Sequence, residues 1–205
     1  MTIESVEKYK GETLCITFNT GKKIFLHRDI VNEYNLSPGV QLQKKQLDEV
    51  MYASELRRAK RRAMYLINER DYSYVELYRK LEKNYSEEVC SETVKHMAAN
   101  GYINDRRYAM QLAERYMECR LYGPRRAMLE MKKRGIPDCA ARAAVEEYSE
   151  RIYERLEEIV ERKYSDLLDD PKDYKSIAKV KNALARLGYD FSDINSVVNE
   201  FLYDE

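Results

Sequence analysis

The stretch AMYLINERDYSYVELYRKL at residues 63–81 returns in altered form as AERYMECRLYGPRRAMLEM at residues 113–131, a spacing of 113 − 63 = 50. Small or apolar residues match at five aligned positions, an Arg matches an Arg, and one helix-capping residue matches another. The aligned pairs are Ala63/Ala113, Leu66/Tyr116, Ile67/Met117, Arg70/Arg120, Ser73/Gly123, Leu77/Ala127 and Leu81/Met131. Repeats of this length are typical of stacked helical units that present extended surfaces to partners.

A third, weaker copy lies nearer the end of the chain. Its Ser176, Val180, Leu184 and Gly188 align with Gly123, Ala127, Met131 and Gly135, now at a spacing of 188 − 135 = 53. Each copy resolves into three helices, so we predict a mainly α-helical chain of tandem three-helix repeats. The predicted segments are 1–44 (an N-terminal β meander with a short helix), 45–104 (repeat 1), 105–149 (repeat 2) and 150–205 (an acidic, divergent repeat 3).

Residues 1–27 have a pattern that is typical of strands. Leu14, Ile16 and Phe18 alternate with Thr or Cys, which is the period of a half-buried strand. The alternation continues after a short turn, and another strand is predicted near residues 3–9. Together these segments predict a three-stranded antiparallel meander, which is too small to be stable alone and should pack on the helices.

Capping residues set the predicted ends of the helices. Ser73 and Glu76 form a capping box, while Gly123 and Pro124 supply the N-cap and first position of the equivalent helix. Other helices are predicted over 29–34, 45–69, 176–187 and 192–202, with Asp138 as a cap and with Arg106 and Arg107 in the turn between repeats. The apolar stripe predicted for the long helix contains Leu56, Ala59, Ala63, Leu66, Ile67 and Arg70.

Composition and motifs argue against several classes of protein. The four cysteines form no Cys-x-x-Cys pair and lack ligand spacing to the two histidines, so we expect no metal site and no disulfide framework. Phosphate-binding Gly-rich loops and hydrolase motifs are missing, so we expect no catalytic site and no cofactor. The chain has no signal-peptide pattern and no apolar run near the roughly 18 residues of a membrane span. We therefore expect a soluble, cytoplasmic protein.

Positive charge is concentrated in the middle of the chain. Residues 54–134 contain 19 Lys or Arg and 12 Asp or Glu (19 − 12 = +7), whereas residues 146–205 contain 9 and 16 (9 − 16 = −7). The candidate partner- or nucleic-acid-binding residues are Arg57, Arg58, Arg61, Arg62, Arg106, Arg107, Arg125, Arg126, Lys132, Lys133 and Arg134. DNA phosphates or an acidic protein groove could both be bound by such residues, and the alternative is a solvated helix face.

The motifs, taken in order, resemble those of the RecX regulatory proteins. The resemblance rests on the run from Ala63 to Leu81, then on Gly101-Tyr102-Ile103-Asn104-Asp105, and then on Gly123-Pro124-Arg125-Arg126 with Gly135-Ile136. It covers residues 55–150 well and 150–205 loosely. It implies three tandem three-helix repeats in an elongated, curved array without chemistry of their own. It also implies a partner, the RecA recombinase filament on single-stranded DNA, which RecX proteins commonly restrain by blocking its growth or speeding its disassembly.

Two other functions remain open from the residues alone. The chain could be a regulator that binds single-stranded or double-stranded DNA directly, or a helical-repeat scaffold that binds only protein. We expect a monomer that does not bind membranes. The strand-rich start lies outside the repeat pattern, and the acidic third repeat is predicted to be a poor candidate for DNA contact.

Overall fold

The computed structural model describes residues 1–203 and confirms the expected fold class, tandem three-helix repeats with a small N-terminal antiparallel sheet. The elements are β1 (Ile3–Lys10), β2 (Thr13–Phe18), β3 (Lys23–His27), α1 (Arg28–Glu33), α2 (Lys44–Glu69), α3 (Tyr74–Leu81), α4 (Glu87–Ala99), α5 (Asp105–Ala113), a π-helical turn (Glu114–Cys119), α6 (Pro124–Lys133), α7 (Asp138–Glu147), α8 (Ile152–Tyr164), a 3₁₀ turn (Ser165–Leu167), α9 (Tyr174–Leu187) and α10 (Phe191–Tyr203). Two compact units contain these elements. The first contains Met1–Arg70 and Leu77–Tyr102, and the second contains Asp71–Glu76 and the chain from Ile103 onward.

The N-terminal sheet has the order β1-β2-β3, with both pairs antiparallel. The register places Ile16 of β2 between Val6 of β1 and Ile24 of β3. Ile16 and Phe18 are fully buried in a cluster that also contains residues of α1 and the first turns of α2. The meander therefore packs on helices, as its small size requires.

In the first unit, α2 buries one stripe and packs on α4. Ala59 and Ala63 are fully buried and Leu66 nearly so, as the helical period predicts. Arg70, which the helical period assigns to this stripe, is instead exposed at the C-cap. Its backbone is extended (φ −167°, ψ 167°), so the helix has already ended and the helical period no longer sets its direction.

Repeat 2 lies in the second unit, and its structure differs from the prediction in the position of Arg106 and Arg107 and in the N-cap of α7. Arg106 and Arg107 are in the first turn of α5 and not in a turn between repeats, because the Asn104 side chain caps the helix by accepting a hydrogen bond from Arg107 N at 3.0 Å. Pro137, one residue earlier than predicted, is the N-cap of α7, and Asp138 is its first residue. The core of this repeat is formed by α5, the π-helical turn, α6 and α7.

Repeat 3 contains α8, α9 and α10 around its own apolar cluster. The predicted start of α9 at Ser176 is wrong, since the helix begins at Tyr174. The Asp173 side chain accepts hydrogen bonds from Lys175 N and Ser176 N, each at 3.1 Å, and so it acts as the cap. The last helix is also slightly longer than the predicted 192–202.

The caps of the three second helices are evenly spaced along the chain. Gly123 is the N-cap of α6 and Asp173 that of α9, while Ser73 Oγ accepts a hydrogen bond from Glu76 N at 3.0 Å at the start of α3. Their spacing is constant, because 123 − 73 = 50 and 173 − 123 = 50. The repeat found in the sequence is therefore a repeat of helix starts.

Within the second unit, the caps Ser73 and Gly123 each contact the end of the next repeat's second helix. Gly123 N donates to Leu187 O at 2.8 Å, and Arg125 N donates to Gly188 O at 3.2 Å, which joins the start of α6 to the end of α9. Likewise, the Ser73 hydroxyl donates to Arg134 O at the end of α6. We call the contact between α6 and α9 the α6–α9 joint. Helix N–H groups meet carbonyl groups there, so the free polar ends of the helices satisfy one another.

Candidate partner-binding surfaces

Three arginines of α2 form an exposed basic face in the first unit. Arg58, Arg61 and Arg62 are exposed, on the side of the helix away from Ala59 and Ala63. We call these three residues the α2 arginine face. Their guanidinium groups are available to phosphates or carboxylates, for which arginine is a bidentate donor.

Arg57 differs from these neighbours because it is already bound within the first unit. Its Nη2 lies 2.8 Å from Asp29 Oδ2 and 3.0 Å from His27 Nε2, and the side chain is only 31% exposed. The hydrogen bond from Arg57 lowers the pKa of Asp29, with further lowering from the charges nearby. The structure thus places Arg57 in a contact between α2 and the start of α1.

The α2 arginine face lines a groove together with two tyrosines. Tyr65 and Tyr85 complete the lining of this cavity of about 420 Å³. The Arg62 guanidinium carbon is 5.1 Å from the centroid of the Tyr65 ring, which is a cation–π distance. Tyr65 remains 56% exposed, so the groove combines accessible cations with an accessible aromatic ring.

In the second unit, the basic residues at the start of α6 are engaged at the α6–α9 joint. Arg125 forms an ion pair with Asp190. Arg126 lies over the Tyr122 ring at 4.0 Å from its centroid, and its Nη1 donates to Arg186 O at 3.2 Å. Both side chains therefore hold the joint, and they leave only part of their hydrogen-bonding capacity for a partner.

The three basic residues at the end of α6 occupy different environments. Lys132 and Lys133 are exposed, and Lys133 Nζ pairs with Glu130 at 2.8 Å. Arg134 is half-buried and donates to Tyr108 Oη at 2.8 Å and to Tyr116 Oη at 3.0 Å. Burial by itself would lower the pKa of Arg134, but the hydrogen bond to Tyr116 and the nearby Glu76 give a net rise.

Arg106 and Arg107 are both exposed on α5, in the same unit as the α6 residues. Arg106 lines a cavity of about 560 Å³ that also contains Met110, alanines of α7, and the acidic Glu146 and Glu147. Arg106 thus has acidic neighbours. Of the predicted residues, the structure brings Arg58, Arg61 and Arg62 together, while Arg57, Arg125 and Arg134 are bound within their own units.

Metal-binding side chains, thiols and membrane-spanning helices can also be assessed in the structure. Within residues 1–203, no three His, Cys, Asp or Glu side chains lie close enough together to hold a metal ion. The four cysteines are free thiols, of which Cys119 and Cys139 are exposed. None of the helices in this part of the chain has both the length and the apolar character that crossing a membrane requires.

Comparison with known proteins identifies the repeats. Residues 104–145 match the family model for the second three-helix domain of RecX, and residues 149–198 match that for the third. The regulatory protein RecX of Trichlorobacter lovleyi is 30% identical over 132 residues, which is 62% of this chain and 84% of the relative. The chain belongs to the RecX family.

Further relatives named RecX are similar in sequence, and two crystal structures of RecX proteins are similar in fold. The regulatory protein RecX of Actinobacillus pleuropneumoniae is 33% identical over 107 residues, covering 52% of this chain and 70% of the relative. That of Clostridioides difficile is 21% identical over 207 residues, covering 99% and 97%. A crystal structure of regulatory protein RecX has a TM-score of 0.76 at 18% identity, covering 97% of this chain and 99% of the other. The structure of RecX from Lactobacillus salivarius has a TM-score of 0.66 at 23% identity, covering 73% and 97%. At these identities the crystal structures establish a shared fold.

One basic surface of this RecX family member does not show in the net charge of its stretch of sequence. Taken as one block, residues 146–205 have a net charge of −7. The block hides α9, whose basic residues are Lys175, Lys179, Lys181 and Arg186 and whose sequence has no Asp or Glu. A sum of charge helix by helix would reveal it.

Proposed function

We propose that this chain is a cytoplasmic, non-enzymatic regulator of homologous recombination that binds the RecA filament on single-stranded DNA as a monomer. It modulates the growth or activity of that filament, and inhibition is the favoured direction. Membership of the RecX family supports the proposal, since its relatives bear the name of a regulatory protein.

The observation that carries the proposal is the groove along the α2 arginine face. Three exposed guanidinium groups lie within two turns of one helix, beside the accessible ring of Tyr65. A nucleoprotein filament presents both phosphates and acidic protein side chains, and arginine binds either with paired hydrogen bonds. A curved or grooved polyanion therefore fits this surface better than a small neutral ligand does.

The test is binding of the protein to single-stranded DNA, bare or coated with RecA in the presence of a slowly hydrolysed nucleotide, at physiological salt. We expect tighter binding to the coated strand. The variant Arg58→Glu/Arg61→Glu/Arg62→Glu should weaken that binding at least about tenfold, because each arginine contributes on the order of 0.5–1 kcal/mol and about 1.4 kcal/mol corresponds to tenfold. Circular dichroism should show an unchanged fold, since all three side chains are exposed.

A matched control carries the same change of charge on another surface of the first unit. Arg79, Lys80 and Lys83 are also exposed, and their replacement by Glu should leave filament binding within about twofold of wild type. Equal losses in both triple variants would show a general charge effect and refute the assignment. Equal or stronger binding of wild type to bare DNA would favour the direct DNA-binding regulator, and binding to neither strand would favour the protein scaffold.

A further inference from the structure

The second helix of the third repeat, α9, presents a straight row of polar and basic side chains. Lys175, Lys179, Asn182 and Arg186 are all exposed. At 100° per residue they fall within about 60° of one another around the helix axis. The opposite side carries Val180 and Leu184, which are fully buried in the core of the repeat. We call these four exposed residues the α9 row.

Three of the four residues of the α9 row border a shallow, open depression in the surface. Lys179, Asn182 and Arg186, together with Ala185, line a groove of about 510 Å³. Because Ala185 is small, a chain lying in this groove could approach the helix backbone between the two cations. The cations would then contact it from one side, with the Asn182 amide between them as a neutral donor.

The charge of the row is uniform along its length. The helix contains no acidic residue. The acidic residue nearest to it in sequence is the N-cap Asp173, whose side chain accepts hydrogen bonds from Lys175 N and Ser176 N. Lys175 and Arg186 are eleven residues apart, which corresponds to about 16 Å at 1.5 Å per residue. A row of separate positive charges at intervals of one or two helical turns matches a linear polyanion better than a folded acidic surface, where carboxylates are scattered.

The row does not end at the last turn of α9. The backbone carbonyl of Arg186 accepts a hydrogen bond from Arg126 of α6 at 3.2 Å, so the arginines of the two helices are neighbours at the α6–α9 joint. The guanidinium of Arg126 also lies over the Tyr122 ring, 4.0 Å from its centroid. A polyanion that follows α9 would therefore meet a further cation at the joint.

An aromatic residue flanks the other end. Tyr174, the first residue of α9, is 78% exposed and adjacent in sequence to Lys175. Exposed aromatic rings beside a basic groove bind single strands, because unpaired bases can stack on them. In a duplex the bases are stacked on each other and are unavailable, so this ring favours a single strand.

We propose that the α9 row binds the phosphate backbone of single-stranded DNA, with a base stacked on Tyr174. Lys175, Lys179 and Arg186 contact phosphates along one strand, and Asn182 donates a hydrogen bond to a phosphate between those bound by Lys179 and Arg186. The third repeat thus takes part in DNA contact, contrary to the expectation from its overall acidic charge. This inference rests on the proposed function in that both place the protein on a DNA strand, but it assigns the contact to a different unit.

The experiment measures binding to a fluorescent oligothymidylate without RecA, over a range of salt concentrations. The variant Lys179→Glu/Arg186→Glu should bind on the order of tenfold more weakly, and the slope of log K against log salt should fall by about 0.7 for each phosphate that is no longer bound. Its control is Arg162→Glu/Lys163→Glu, which makes the same change of charge at exposed positions on α8 of the same repeat. The control should keep the wild-type slope.

A second variant tests the aromatic contact separately. Tyr174→Ala should weaken binding to the oligothymidylate by roughly tenfold, as expected for the loss of one stacked base, and should leave binding to a duplex of equal length unchanged. The ring is exposed, so its removal should not alter folding.

Several results would overturn the inference. These are equal losses for the α9 and α8 variants, stronger wild-type binding to polyglutamate than to the oligothymidylate, or no binding of wild type to bare DNA. Failure of filament binding would instead refute the proposed function alone, because the readout on bare DNA does not involve RecA. The two proposals can thus fail independently.

Discussion

The replacement Gly123→Ala should loosen the α6–α9 joint. A Cβ placed on Gly123 would lie 2.5 Å from both Gly188 O and Tyr189 N, whereas ordinary contacts begin near 3.4 Å. The obstacles are backbone atoms, which cannot move aside as a side chain can. The backbone of Gly123 is ordinary (φ −72°, ψ 167°), so alanine is excluded by contact alone and not by its own conformational preference.

The expected cost follows from the contacts that would be strained. The nearest atom to the added Cβ is Gly188 C at 2.4 Å, so relief of the clash requires α6 and α9 to separate by about 1.0 Å (3.4 − 2.4). This would weaken the bonds from Gly123 N to Leu187 O and from Arg125 N to Gly188 O. Two backbone hydrogen bonds contribute about 2 kcal/mol, and overpacking typically costs about 1–3 kcal/mol. Alanine also lowers the conformational entropy of the unfolded chain, which stabilises the folded protein by about 0.4–1 kcal/mol and offsets part of this cost. Since the bonds are weakened and not abolished, we expect a net loss of about 2 kcal/mol in the free energy of unfolding of the second unit.

Urea unfolding followed by circular dichroism, combined with hydrogen exchange, would measure this loss. The exchange of amides in α9 and at Gly188 should accelerate in the variant, because the joint opens locally. The control is Gly101→Ala in the first unit, where φ is +72° and nothing lies within 4 Å of the added Cβ. That control should lose about 1 kcal/mol through backbone strain and leave exchange in α9 unchanged. A Gly123→Ala protein within about 0.5 kcal/mol of wild type, with wild-type exchange in α9, would show that the joint accommodates the added methyl group and contradict this prediction.

Two further predictions concern buried polar groups of the second unit. Arg155 is 4% exposed, pairs with Glu118 and donates to Tyr148 O at 2.7 Å, so Arg155→Ala should cost about 3 kcal/mol in urea unfolding by removing the buried member of the pair and both of its contacts. The companion change Glu118→Gln should recover part of that loss, and the absence of any recovery would contradict the role of the pair. Burial raises the pKa of Tyr189 from 10.0 to about 12, so its contribution to stability is complete below pH 10 and falls as the pH rises from 10 to about 12. The stability difference between wild type and Tyr189→Phe should therefore shrink over this window, and a constant difference would show that Tyr189 is not the titrating group.

Local signals in the sequence are sufficient for most of the helix starts. Ser73 with Glu76, and Gly123 with Pro124, are short-range patterns, and the structure forms the helices where they predict. The start of α9 is harder because two capping-type residues, Asp173 and Ser176, stand three apart. If the repeat is aligned at the helix starts, Asp173 lies 50 residues after Gly123 and is predicted as the cap. If it is aligned at the helix ends, on Gly135 and Gly188, the predicted cap is Ser176.

The candidate surfaces are harder to predict, because whether a basic side chain is free to bind a partner depends on residues distant in sequence. The helical period correctly places Arg58, Arg61 and Arg62 away from the core. It cannot show that Arg57 meets Asp29, 28 residues away, since that contact depends on how α1 packs beside α2. Arg134 is a similar case, because its partners come from α5, the π-helical turn and the first turn of α3.

At the α6–α9 joint, the atoms that hold two repeats together are different from the side chains that α9 exposes to solvent. Two of its hydrogen bonds run between backbone atoms, and its closest approach is set by the lack of a side chain at Gly123. The side chains of the outward row on α9 take no part in those bonds, so their charges can be exchanged without altering how the helices meet. Substitutions on this outward row can therefore change what the protein binds while the contact between the second and third repeats persists.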